Sequence, residues 1–394
     1  MSTNMQEMRP CRNKVTNGLS MTPRQRVLAA TRNEAPDRTP MDFGGTAMSL
    51  CTGPFLAGMR EILGYKLPDD RDPDGHWVDE AIQSYLGVDL RFVPERPPLR
   101  ILRDLDTDAY QRETEARTHR AQEADPGIKT TAVKHEFPLA GYSLNEIRRM
   151  TPERCSPLAY EDWIIKVAKE YRAAGYATSF WVSGGFFEQG CYARGYDQFA
   201  IDLVCDPDLV RALFDLWLVN KLDKVQHVVK PLAPYIDWFC FGDDLGLQTG
   251  PFMSPDTFGG LVKPYMAELY GQVQRAAPDS FIFHHSCGSV YRLMDELIDS
   301  GVNILNPIQP KAFEMEPERL KEKGGGRLCF HGGIDLQDLL PFGTPDEVRD
   351  ETRRRMSILG EGGGYVAAPA HSLPEDVPIE NILAMFDIQK GEAE

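Results

Sequence analysis

Short apolar runs recur along this chain, each ending in glycine or a polar residue and each separated from the next by a segment long enough for a helix. They fall at 39–43, 89–94, 177–184, 235–242, 281–287, 302–307, 327–333 and 364–370. Strands spaced by helix-length connections pair in parallel, because the crossover carries the helix back to the starting edge. Eight of them match the arithmetic of an α/β chain closed as a (β/α)8 TIM barrel. The second run is the least regular. With 394 residues, 42% of them hydrophobic, the chain can bury one barrel-sized core, and no second core is apparent.

The ends and one interior stretch depart from this rhythm. Residues 1–20 are polar and aperiodic and are expected to form a disordered tail. Thr22-Pro23 then reads as an N-cap and first helical turn, followed by helix formers from Arg24 to Arg32. The expected organisation is therefore a tail, 1–20, and a single domain, 21–394, whose barrel carries an N-terminal helical extension. Residues 95–145, rich in Pro, Arg and Glu, read as an irregular insertion over the barrel mouth. His119 and His135 lie in it and read as exposed or structural.

A formal charge of −16 argues against nucleic acid or an anionic membrane surface as partner, since both require a basic face. The eight cysteines are scattered without a CxxC pair, which reads as reduced thiols. No apolar leader and no apolar run of membrane-spanning length is apparent, so the expected location is the cytoplasm and the expected partner a small molecule or another protein.

The chemistry concentrates in Phe281-Ile282-Phe283-His284-His285-Ser286-Cys287-Gly288. Side chains alternate across a strand, so His285 and Cys287 share a face, and an imidazole beside a thiolate is half of a zinc site. A buried cysteine acting as a small hydrophobe explains the pair as well. Loops that follow strands hold the chemistry of α/β barrels. By that rule Phe186 to Gly195 offers Glu188 as a catalytic candidate, with Tyr192 and Arg194 as substrate-pocket candidates, and simple packing explains the loop's aromatics as well. Asp243 and Asp244 end the run 235–242, and adjacent carboxylates on a strand cannot both face inward.

Three blocks carry a family resemblance. They are Glu34-Ala35-Pro36-Asp37-Arg38-Thr39-Pro40, Phe241-Gly242-Asp243-Asp244-Leu245-Gly246, and His285 to Ser289 continued by Gly301-Val302-Asn303-Ile304-Leu305-Asn306-Pro307. Together they resemble the uroporphyrinogen decarboxylase superfamily, and more narrowly its corrinoid-linked methyltransferase branch. The resemblance runs from about Met21 to about Asp387. It implies a TIM barrel and a catalytic zinc held by the His-x-Cys pair and a distant third residue.

Several expectations follow from the resemblance. In that branch the third ligand is a cysteine near the last strand, where this chain has His371, so the implied triad is His285, Cys287 and His371, with His331 as competitor. A neutral imidazole in place of a thiolate leaves a more Lewis-acidic metal. That points toward activating a methyl donor such as an aryl methyl ether. Asp243 or Asp244 stands as proton donor, as partner to a zinc-bound histidine or as a hard ligand, and a purely structural role fits as well. Asp42, Asn306 and His331 join the substrate-binding set.

True decarboxylases carry arginines just after the first strand to hold porphyrinogen carboxylates, whereas this chain has Gly44-Gly45-Thr46-Ala47-Met48-Ser49-Leu50. There is no Asp-x-His-x-x-Gly signature for binding a corrinoid, so the cobalamin is expected on a separate corrinoid protein. A homodimer is compatible with this reading. The runners-up are a metal-free decarboxylase or lyase of a small carboxylic acid using Asp42 or Asp243, and a non-catalytic binding subunit.

Overall fold

The computed structural model describes residues 20–51, 53–65, 78–97 and 137–391, with short pieces at 102, 106–109 and 111–112. Residues 1–19 of the tail expected at 1–20, most of the insertion, His119 and His135 lie outside the described residues. Seven parallel strands form one sheet in chain order: β1 Leu90–Phe92, β2 Ala177–Gly184, β3 Trp238–Gly242, β4 Phe281–His285, β5 Ile304–Asn306, β6 Cys329–Ile334 and β7 Tyr365–Pro369. This is the curled sheet of a TIM-barrel-like fold.

The expected first strand, 39–43, is a correction. It shrinks to a single bridging residue, Met41, paired in parallel with Ala367. Pro40 has no N–H with which to lengthen the ladder, and Gly44 turns the chain into the left-handed region at φ +72°. The short segment nevertheless joins both edges of the sheet. Ala367 N–H donates to Pro40 O (2.9 Å) and Asp42 N–H to Ala367 O (2.8 Å) on one side, while Asp89 N–H donates to Met41 O (3.0 Å) on the other.

Alternation along the strands sorts the side chains into two layers. Leu90, Ala177, Trp238, Cys240, Phe283, Ile304, Cys329 and Val366 point inward and form one cluster, with Trp181 packed against it. Phe180, Phe239, Ile282, Leu305 and Phe330 point outward into the larger layer under the helices. Helix α1, Pro23–Thr31, closes the N-terminal end of the barrel by placing Val27 and Ala30 in the inner cluster. Thr22 caps it reciprocally with Gln25, as the Thr-Pro start predicts. Trp238 Nε1–H donates to Thr31 Oγ1 at 3.2 Å, so the indole at the barrel floor has its polar atom satisfied.

A second correction concerns 186–195, expected as a loop. Phe187–Arg194 is helix α2. Its N-terminus has no local side-chain cap; instead the N–H groups of Phe186, Phe187 and Glu188 donate to the carboxylate of Asp243, at 2.9, 2.9 and 2.7 Å. The cap comes from another strand, so no local capping signal precedes the helix.

The barrel seam is held by a buried ion cluster. The Asp89 carboxylate accepts from Arg26 Nη1 (2.6 Å), from Arg38 Nη1 (2.8 Å) and from Met41 N–H (3.0 Å), tying α1 and the bridging segment to the start of β1. Both Asp89 and Arg26 are buried. Asp89→Ala leaves the buried Arg26 guanidinium with Asp37 as its remaining carboxylate and leaves the buried Met41 N–H unpaired, and is expected to lower stability by about 2–3 kcal/mol in urea unfolding. A loss under about 1 kcal/mol would mean that this cluster does not hold the seam.

Candidate functional site

The C-terminal ends of β4 to β7 converge on one polar centre. β4 ends at His285, whose ring is inward and nearly buried. The chain leaves the strand there, and Cys287 turns back so that its Sγ lies 3.4 Å from His285 Nε2. His371 follows β7, its ring centroid 5.4 Å from that of His285. One ligand atom from each of His285, Cys287 and His371 falls within 4.8 Å of the others.

His331 lies outside this trio. It is fully buried on β6 with both ring nitrogens occupied: Nε2 is 2.9 Å from Asp42 Oδ2 and Nδ1 is 2.8 Å from Asn306 Nδ2. Asn306 Oδ1 in turn lies 2.6 Å from His285 Nδ1. Asp42 also accepts from Gly45 N–H (2.8 Å) and from Ser49 Oγ–H (2.7 Å). Asp42, His331 and Asn306, placed by the sequence among the substrate contacts, therefore form a buried chain behind His285. The shape of β6 depends on Gly332 at φ +101°: a Cβ there would meet the Pro307 carbonyl at 2.4 Å.

The two adjacent aspartates separate. Asp243 is buried beneath the start of α2, where its oxygens serve the cap. Asp244 reaches the centre: its Oδ1 accepts from Cys287 N–H (2.8 Å) and lies 3.5 Å from His285 Nε2. Glu188, half-buried on α2, accepts from Tyr192 O–H at 3.1 Å. Tyr192 is 60% exposed and packs edge-on against Tyr196 at the rim. Arg194, expected to meet substrate, is instead buried, with Nε donating to Asp202 (2.7 Å) and Nη1 to the Leu139 and Tyr142 carbonyls. It ties the rim together rather than offering a free cation.

Two residues at the centre escaped the sequence reading. Trp181 lies on the inner face of β2; at Gly242 an added Cβ would meet its indole at 2.7 Å and His285 Cβ at 3.5 Å, so bare backbone makes room for the ring beside His285. Strand parity was the signal that could have found it. Lys221, on helix α3 (Pro207–Lys224), buries its side chain, donates to the Gly184 carbonyl and faces Asp243. Nothing local in the sequence marks it, because the contact joins distant elements.

Burial governs the electrostatics. It lowers His285 to about 4 and lowers His371, so both imidazoles are neutral donors near pH 7. It pushes the Cys287 thiol up to about 12, with Asp244 adding to the effect, so the bare thiol stays protonated and a divalent cation would have to displace its proton. Burial, then the neighbouring Asp244, raises the Glu188 carboxyl, which suits it to carry a proton. Two neutral imidazoles and a thiol converging on one point form a donor set that zinc accepts.

Comparison with known proteins places the chain. Residues 160–391 match the family described as uroporphyrinogen decarboxylase (URO-D). A uroporphyrinogen decarboxylase of Psychromonas ingrahamii is 24% identical over 220 residues, covering 52% of this chain and 55% of the relative. That of Salinibacter ruber is 23% identical over 190 residues, covering 47% and 49%. The chain thus spans about half the length of the curated relatives it matches. A methyltransferase from Methanosarcina mazei shares the fold, with a TM-score of 0.60 at 16% identity over 95% of this chain and 100% of that one.

The buried histidines set a pH dependence for stability. His284, whose Nδ1 meets Tyr270 Oη at 2.9 Å, is lowered by burial to about 3, and His285 to about 4. Below pH 6.5 the unfolded chain binds protons that the native chain does not, so native stability is full above that value and falls with acidification. In chelator-treated protein the expected loss is about 1.4 kcal/mol per pH unit for each imidazole between roughly pH 6 and 4.5. His284→Gln should make that slope shallower by about 1.4 kcal/mol per pH unit in urea titrations. An unchanged slope would show that His284 is not held neutral.

Proposed function

The chain belongs to the uroporphyrinogen decarboxylase family, and on that premise we propose that it is a zinc-dependent methyltransferase that moves a methyl group from a small methoxylated aromatic compound to the corrinoid of a separate protein. The observation that carries this reading is the convergence of His285, Cys287 and His371 within 4.8 Å at the C-terminal mouth of the barrel. These three would hold the zinc, which when bound would draw charge from the ether oxygen of the substrate and so make a phenolate a tolerable leaving group.

The chain's own residues supply the rest. Glu188, whose carboxyl is raised by burial and by Asp244, gives its proton to the departing oxygen. Asp244, bonded to Cys287 N–H, holds the turn that presents the thiol and places negative charge beside the cation. Trp181 forms an aromatic wall next to His285, and Tyr192 and Tyr196 line the rim, a setting for a flat aromatic substrate. Porphyrinogen decarboxylation fits less well, because Arg194 is committed to Asp202 and the segment after Met41 carries glycines instead of arginines.

The test is zinc content by elemental analysis of protein purified without a histidine tag, followed by methyl-transfer assays with methoxylated aromatics and a reduced corrinoid protein. About one zinc per chain is expected in wild type, lost in Cys287→Ala and in His371→Ala, with transfer lost in parallel. No zinc in untreated wild type would overturn the reading and favour a metal-free lyase. Zinc retained in His371→Ala but not in Cys287→Ala would remove His371 from the set.

A further inference from the structure

From the structure we infer that Asp42, acting through His331 and Asn306, determines which nitrogen of His285 carries the proton and so holds His285 Nε2 as a bare donor facing Cys287. This inference rests on the metal-site reading for its purpose, but the hydrogen-bond chain stands on its own geometry.

The polarity can be followed from one end. A carboxylate offers acceptors alone, and Asp42 already takes Gly45 N–H on Oδ1 and Ser49 O–H on Oδ2. His331 Nε2, 2.9 Å from the same Oδ2, must therefore donate. In a neutral imidazole the other nitrogen is then an acceptor, and it faces Asn306 Nδ2 at 2.8 Å, a donor. That turns the Asn306 carbonyl oxygen toward His285 Nδ1 at 2.6 Å, which must carry the proton. The lone pair of His285 is left on Nε2, the atom 3.4 Å from Cys287 Sγ.

Each link is held in place. Asp42, His331 and Asn306 are essentially inaccessible to solvent, so water cannot take over a bond or reverse it. The His331 ring lies edge-on between Trp238 and Phe283, with centroids at 5.9 and 5.2 Å. Asp42 and His331 thus become positioning residues that act on the metal-binding atom from the far end of the chain. The conservative substitution Asp42→Asn has a specific consequence. Its amide can donate to His331 Nε2, which reverses every link and moves the His285 proton onto Nε2.

The experiment reads the tautomer directly. Long-range nitrogen NMR of 15N-histidine-labelled, zinc-free protein at neutral pH should show His285 protonated at Nδ1 in wild type and at Nε2 in Asp42→Asn. Zinc affinity, measured by competition with a chromophoric chelator, should fall about 10- to 100-fold in Asp42→Asn. Asn306→Asp offers acceptors alone, so His331 must carry a proton on Nδ1 to meet it, but His285 Nδ1–H keeps its acceptor and the wild-type His285 tautomer should persist. A purely structural role for the chain would weaken both variants alike and leave the tautomer unmoved. His285 protonated at Nε2 in wild type, or at Nδ1 in Asp42→Asn, would overturn the inference. Wild-type protein that shows the expected tautomer but binds no zinc would instead overturn the metal reading and leave the chain standing.

Discussion

Closure of the sheet at Met41 is the constraint on which the rest of the mouth depends. One residue bonds to β7 on one side and hands its carbonyl to Asp89 on the other, and the very next side chain, Asp42, is thereby delivered to the inside of the barrel opposite His331. From there a single line of buried hydrogen bonds crosses β6 and β5 to His285 on β4. The seam that closes the barrel and the polar chain that orients the candidate metal ligand are consecutive residues. A disturbance at Pro40 or Asp89 would therefore be felt at the site as well as in stability.

The mouth also separates two uses of negative charge. Asp243 is turned inward and employed as the cap of α2, opposite the buried ammonium of Lys221, so burial there raises the carboxyl and lowers the amine together. Asp244, one residue later, reaches the centre, where it stands beside His285 and bonds to Cys287 N–H. The cap then fixes Glu188 at the first turn of α2, within electrostatic reach of both Asp244 and Cys287. A thiol and two imidazoles made reluctant to ionise by burial, surrounded by carboxyl groups, form a place where a cation would relieve the local electrostatics.

Much of this was legible in the chain itself. The recurrence of short apolar runs carried the parallel sheet, and the His-x-Cys spacing drew attention to His285 and Cys287, although the strand expected to reach 287 ends at His285 and Cys287 meets that ring by a turn, not by strand alternation. What escaped has a common cause. The run 39–43 looks like a strand by composition, yet Pro40 and Gly44 leave it one bonded residue long. The segment 187–194 looks like a loop because its cap, Asp243, lies more than fifty residues away in sequence. Arg194 looks like a ligand for anions until the turn at Gly195 brings Asp202, on the next helix, against its guanidinium. Local patterns are readable in a sequence, and tertiary partners that reassign a polar group are not.

Whether His285, Cys287 and His371 share one zinc ion is tested most directly by X-ray absorption at the zinc K edge, on untagged protein as purified. A shared ion should show one sulfur neighbour at about 2.3 Å and two imidazole nitrogens at about 2.0–2.1 Å, completed by one further light atom. A first shell without sulfur, or one built from two sulfurs, would contradict it.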